Sequence, residues 1–113
     1  MKPLTDLFKS LSDPTRLKIL FILSQSSHCV CELTALLKEP QSKISKHLSK
    51  LRDLGFIQSE RNGQFIYYSL HNDHALLESF IRALLNHASQ FPELNGLTTQ
   101  SINITCQSKD ARL

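Results

Sequence analysis

The sequence predicts a mainly α chain that carries one β-hairpin, in the order α-α-α-α-β-β-α. Apolar residues return at helical spacing in stretches punctuated by Asp13-Pro14, Pro40, Gly55 and Pro92. Two β-like runs, Phe56 to Arg61 and Gln64 to Leu70, are joined by Asn62-Gly63, a dipeptide suited to a tight hairpin turn.

Each element has its own local cause. Leu4, Leu7, Phe8 and Leu11 line one face of a first short helix that ends near Ser12. Asp13 is a good N-cap and Pro14 a good first helical residue, so a second helix runs from Thr15 to Ser24, with Leu17, Ile19, Leu20 and Leu23 facing inward. A third helix is expected over Cys29 to Leu37, carrying Val30, Leu33, Leu36 and Leu37 inward, and Lys38-Glu39-Pro40 ends it. From Gln41 to Leu54, Ile44, Leu48, Leu51 and Leu54 form a narrow apolar stripe on a fourth helix, and Gly55 stands where a C-cap glycine belongs. After the hairpin, Asn72 or Asp73 can cap a long helix with a wide stripe of Leu76, Leu77, Phe80, Ile81, Leu84, Leu85, Ala88 and Phe91, closed by Pro92.

These elements make residues 1–92 one domain, and the polar, aperiodic segment 93–113 is expected to be a mobile tail. With 113 residues, 41% of them hydrophobic, such a domain buries only a modest share of its surface, so a partner subunit is expected. The segment MKPLTDLFKSL lacks the apolar core of a signal peptide, and no stretch approaches the roughly 18 apolar residues of a membrane span. A cytoplasmic location and no membrane partner follow as expectations. Three cysteines, two of them separated by one residue, suit thiol chemistry in a reduced compartment better than a disulfide framework.

Two short helices around a tight turn, followed at once by a hairpin, have the order of a winged helix-turn-helix. The fourth helix presents Gln41, Ser42, Lys43, Ser45, Lys46, His47, Ser49, Lys50 and Arg52 outward. That mixture combines cations for phosphates with groups able to reach base edges. Arg61 and Asn62 at the hairpin tip would lie beside the neighbouring minor groove or backbone. Between Lys38 and Arg61 six Lys or Arg face three Asp or Glu, which places the chain's whole net charge of +3 in this stretch. Double-stranded DNA is therefore the expected partner. The sequence has no Gly-rich phosphate loop and no nucleophile elbow, so an enzyme is not expected.

The segments Leu11-Ser-Asp-Pro-Thr-Arg-Leu-Lys-Ile-Leu20, Cys29-Val-Cys-Glu-Leu33, Gln41-Ser-Lys-Ile-Ser-Lys-His-Leu-Ser-Lys-Leu-Arg-Asp-Leu-Gly55 and Arg61-Asn-Gly-Gln-Phe-Ile-Tyr-Tyr-Ser-Leu70 resemble the ArsR/SmtB family of metal-responsive repressors. The likeness covers about residues 4–91. It implies a homodimer paired through the first and last helices, reading of an inverted repeat in operator DNA by the Gln41–Leu54 helix, and release of DNA on ligand binding. Leu4, Leu7, Phe8, Leu77, Phe80, Ile81, Leu84 and Leu85 are the expected dimer residues.

Cys29 and Cys31 are expected at the start of the third helix, where open backbone N–H groups and the helix dipole favour a thiolate. Residues two apart on a regular helix point about 200° apart, so both sulfurs could meet one ion only if that first turn unwound. The resemblance implies arsenite, with antimonite as a second inducer. In the family, Cys-Val-Cys-(Asp/Glu)-Leu followed by a further Cys marks a three-sulfur site for those ions. Here Thr34 occupies the third position, leaving either two thiolates or a third ligand from Cys106. A flexible linker of 14 residues from Pro92 spans about 21 Å on average, so reach allows Cys106 from either subunit. Two alternatives stand beside this one. A disulfide or persulfide switch could use the same cysteines. A zinc site on the last helix could use Asp73, His74, Glu78 and His87, although Gln90 stands where a further His would be wanted.

Overall fold

The structure is a computed structural model and describes residues 2–71, 73–94, 96 and 97. Helices α1 (Lys2–Ser12) and α2 (Pro14–Leu23) meet at Asp13. Asp13 Oδ2 accepts the Arg16 N–H at 3.0 Å and Pro14 opens the helix, the start that Asp-Pro predicts. Ile19, Leu20, Phe21, Ile22 and Leu23 are all buried, which makes α2 the central rod of the core. Leu7, Leu33, Ile44, Leu48, Leu51, Leu77 and Ile81 close on it from the other helices.

A two-residue strand β1 (His28–Cys29) precedes α3 (Val30–Leu37). The sequence gives no local sign of β1, because a strand this short exists only through its pairing with a distant strand. The third helix accordingly begins at Val30, not at Cys29, and Cys29 has extended backbone with φ −92° and ψ 170°. Lys38 ends α3 in the left-handed region with φ 55°, which turns the chain sharply into α4 (Gln41–Asp53).

α4 buries the predicted stripe of Ile44, Leu48 and Leu51. Gly55 has φ 84°, and the bonds Phe56 N–H to Leu51 O and Gly55 N–H to Arg52 O, both 3.0 Å, form a complete Schellman stop.

Strands β2 (Ile57–Asn62) and β3 (Phe65–Leu70) form the hairpin, and β1 adds on the far side of β3 to give the sheet order β1-β3-β2. Asn62 pairs with Phe65, so the loop is Gly63-Gln64 and not Asn62-Gly63. Gly63 has φ 68° and Gln64 does not have positive φ, the pattern of a type II′ turn. The expected hairpin is present with its turn shifted by one residue.

The last long helix, α5 (Ala75–Asn86), is shorter than predicted. Its cap is His74, whose Nδ1 accepts the Leu77 N–H at 3.4 Å, rather than Asp73; Asn72 lies outside the described residues. Two 3-10 turns, Ala88–Gln90 and Pro92–Leu94, then fold back onto the core. Leu94 and Leu97 are buried, and Gln25 Nε2 donates to Leu97 O at 2.9 Å. The packed unit therefore runs past the predicted boundary at Pro92, at least to Leu97. Among the described residues no helix is long and apolar enough to cross a membrane.

Candidate nucleic-acid interface and thiol site

α3 and α4 cross at the Lys38–Pro40 turn, and burial of Ile44, Leu48 and Leu51 fixes which side of α4 faces away from the core. Gln41, Ser42, Lys43, Lys46, Ser49, Lys50 and Arg52 are exposed there. Lys43 Nζ lies 3.1 Å from Glu39 Oε1, so its charge is already shared with a carboxylate one turn back. Lys46, Lys50 and Arg52 form no such ion pair among the described residues, which leaves their charge to act on a polyanion. At the hairpin tip Arg61 and Asn62 are exposed, and Arg61 Nη1 donates to Gly63 O at 3.3 Å.

His47 departs from the expectation. Its Nε2 lies 4.0 Å from Asp13 Oδ2, and only 18% of the side chain is exposed. Burial pushes its pKa below the usual histidine value, with Asp13 opposing. His47 thus lies against the N-cap of α2 and is less exposed than the lysines beside it on α4. Ser45 is likewise partly covered. Asp13 itself is held below the usual carboxylate range, first by the Arg16 N–H and further by His47 and Arg16.

Cys29 is 3% exposed at the end of β1, and its backbone pairs with Tyr67 of β3. Its N–H donates to Glu32 Oε1 at 3.1 Å, while the N–H groups of Glu32 and Cys31 face its sulfur. Sulfur is a weak acceptor, so the carboxylate is the stronger half of this capping box. Glu32 Oε1 also accepts from His28 Nδ1 at 3.1 Å, and His28 Nε2 lies 3.0 Å from Ser26 Oγ. The buried His28 and Cys29 backbone are therefore held by one carboxylate.

Two sequence-derived ideas about the cysteines change. Cys29 is not in the helix, so the pair is not forced apart by helical geometry. Nor is its thiol activated: burial pushes the Cys29 pKa up and the Glu32 charge adds to this, against the N–H groups that pull it down. Cys31 is half-buried on the first turn of α3 and is engaged in a disulfide. Cys106 lies outside the described residues. Thr34, one turn after Cys31, has a buried Oγ1 with no hydrogen-bond partner among the described residues.

Three of the alternative ligands on and around α5 have contacts within the protomer. His74 caps the helix, Glu78 lies 3.6 Å from Arg82, and His87 Nδ1 lies 3.3 Å from Gln90 Nε2. Among the described residues no group of three or more His, Cys, Asp or Glu is placed to hold a metal ion.

The expected dimer residues divide. Leu7, Leu77 and Ile81 are buried inside the protomer and are core, and Leu84 and Leu85 are partly buried against it. Leu4, Phe8 and Phe80 are exposed at 40%, 51% and 37%. The rings of Phe8 and Phe80 lie 5.7 Å apart, which joins α1 and α5 into one apolar face. Leu76, 45% exposed on α5, belongs to the same kind of surface and was not singled out from the sequence, where it is one member of an unbroken stripe.

Comparison with known proteins agrees with this geometry. Residues 13–59 match the family described as bacterial regulatory protein, arsR family. The chain is 39% identical over 101 residues to the arsenic resistance transcriptional regulator ArsR2 of Pseudomonas putida, covering 80% of this chain and 88% of that protein. It is 43% identical over 65 residues to the arsenical resistance operon repressor of Escherichia coli K12, covering 57% of this chain and 56% of that one. Among solved structures, reduced HlyU from Vibrio cholerae superposes with a TM-score of 0.70 at 28% identity, over 76% of this chain and 88% of that one.

Proposed function

Since the chain belongs to the arsR family of bacterial regulatory proteins, which are DNA-binding transcriptional regulators and not enzymes, we propose that it is a homodimeric, cytoplasmic repressor induced by arsenite. On this reading α4 and the hairpin wing of each subunit hold operator double-stranded DNA. The apolar face of Leu4, Phe8, Leu76 and Phe80 joins the subunits. Capture of arsenite, or of antimonite, by Cys29 and Cys31 in the reduced protein releases the DNA.

One observation carries the reading. The cysteine pair stands at the junction of β1 and α3, where it is bonded to the wing strand through the Cys29–Tyr67 pairing and leads directly into the first helix of the helix-turn-helix. A ligand bonded to both sulfurs ties Cys29 to the first turn of α3, and both elements bear on the DNA-reading parts. Cys106 is a candidate third ligand on the same reading.

The test is direct arsenite binding to the reduced protein, read as sulfur-to-arsenic absorbance and as bound arsenic per chain after gel filtration. One arsenic per chain, lost in both Cys29→Ser and Cys31→Ser, is expected. Undiminished binding in both variants would place the inducer elsewhere.

A second reading has its own support. Cys31 is engaged in a disulfide, and the chain is similar to a protein whose structure is described as reduced HlyU. In this form of the switch, a peroxide takes two electrons from two thiols, which join as a disulfide while their protons leave with the reduced oxygen as water. Loss of DNA binding on mild oxidation, restored by dithiothreitol and independent of arsenite, distinguishes it.

A further inference from the structure

Thr34, one turn after Cys31 on α3, carries a hydroxyl that the fold leaves unmatched. A threonine inside a helix ordinarily returns its hydroxyl to a carbonyl one turn back. Thr34 does not: its Oγ1 is buried and has no hydrogen-bond partner among the described residues, although its own carbonyl accepts the Lys38 N–H at 2.9 Å. Leaving a buried hydroxyl unmatched costs stability, so such a group needs a reason. Its place supplies one. Thr34 and Cys31 are three residues apart on α3, hence neighbours on one helix face, and the Cys29 sulfur stands over the open end of the same helix facing the Cys31 N–H.

We propose that the Thr34 hydroxyl is the third element of the inducer site and holds an arsenic-bound hydroxyl by hydrogen bond. The inference rests on the arsenite reading and specifies the species bound. Arsenous acid carries three hydroxyls. Each of two thiols replaces one of them: an S–As bond forms, an As–O bond breaks, and the thiol proton leaves with the hydroxide as water. The product is a dithioarsenite with one hydroxyl left, arsenic stays trivalent, and no oxidant is needed. The remaining As–OH both donates and accepts, and the Thr34 hydroxyl can answer either way.

Two trivalent arsenicals separate this role from mere packing. Methylarsenous acid also has two replaceable hydroxyls, but its third substituent is a methyl group, so its dithiol adduct has nothing for Thr34 to hold. Dissociation constants for arsenite and methylarsenous acid would be measured on the reduced full chain and on Thr34→Val, Thr34→Ser, Cys106→Ser and the Cys29→Ser/Cys31→Ser double variant. Thr34→Val is expected to weaken arsenite about 3- to 10-fold, the worth of one hydrogen bond. It should leave methylarsenous acid within about twofold, and Thr34→Ser should restore arsenite, provided one hydrogen bond is at stake. Equal weakening of both ligands, or unchanged arsenite in Thr34→Val, would overturn the Thr34 assignment alone. Unchanged arsenite in Thr34→Val with weakened arsenite in Cys106→Ser would assign the third position to sulfur instead. Full-strength arsenite binding by the double cysteine variant would overturn the inducer reading itself.

Discussion

The two ends of the helix-turn-helix are built on opposite principles. The reading face of α4 presents Lys46, Lys50 and Arg52 to solvent, so each can be removed without disturbing a buried partner. The corner of β1 and α3 is the reverse: His28 and Cys29 are buried, and one Glu32 carboxylate oxygen takes N–H groups from both. A grip built from exposed charges is graded and salt-sensitive. On the proposed reading, a trigger built from a shared carboxylate and a strand pairing would shift as a unit.

The largest expected effect separates the two regions by stability. Leu33 is fully buried on α3, two residues after Cys31, so Leu33→Ala should lower unfolding stability by about 2–5 kcal/mol. Lys46→Ala should leave it within about 0.5 kcal/mol. Urea titration of both variants checks the contrast, and a comparable loss in each would break it. Next, Glu32→Ala removes the acceptor of two N–H groups and should cost about 1–3 kcal/mol in the same assay. A neutral result would mean that the corner is not held by that carboxylate.

On the grip side, Lys46→Ala or Lys50→Ala should weaken operator binding, and each lost phosphate contact should reduce the salt slope by about 0.9. Anisotropy titrations at several salt concentrations read both quantities, and unchanged affinity and slope in both variants would count against docking through α4. The smallest effect is one of pH. The folded pKa of His47 lies below its unfolded value, so the unfolded chain takes up the proton first and stability falls as pH drops below about 6.5. Asp13, also depressed, contributes stability above its unfolded pKa that is lost as pH falls through its folded pKa, further into acid. His47→Gln should flatten the first part of that slope, as followed by thermal melts between neutral and mildly acidic pH.

Local signals carried the grip well. Asp13-Pro14, the stripe of Ile44, Leu48 and Leu51, and Gly55 each act through the few residues around them, and each stands in the structure as the sequence implies. The cysteine corner was less legible because its structure comes from far along the chain. β1 exists through Tyr67 and Tyr68, some forty residues downstream, and that pairing takes Cys29 out of the helix. The hairpin turn slipped by one residue because strand pairing, not the Asn-Gly dipeptide, sets the register. Periodicity also located an apolar stripe on α5 without telling which edge meets the protomer's own core: Leu77 and Ile81 face inward, Leu76 and Phe80 outward. Burial likewise raised the Cys29 pKa where a helix N-terminus alone would have lowered it.

The central claim is that the cysteine corner governs the grip of α4 and the wing on DNA. Operator-bound protein, kept reduced and titrated with arsenite, tests it directly by fluorescence anisotropy of labelled DNA. The wild type should release the DNA, while Cys29→Ser/Cys31→Ser should bind the operator with unchanged affinity and stay bound throughout. Release of the double variant at the wild-type arsenite concentration would contradict the account.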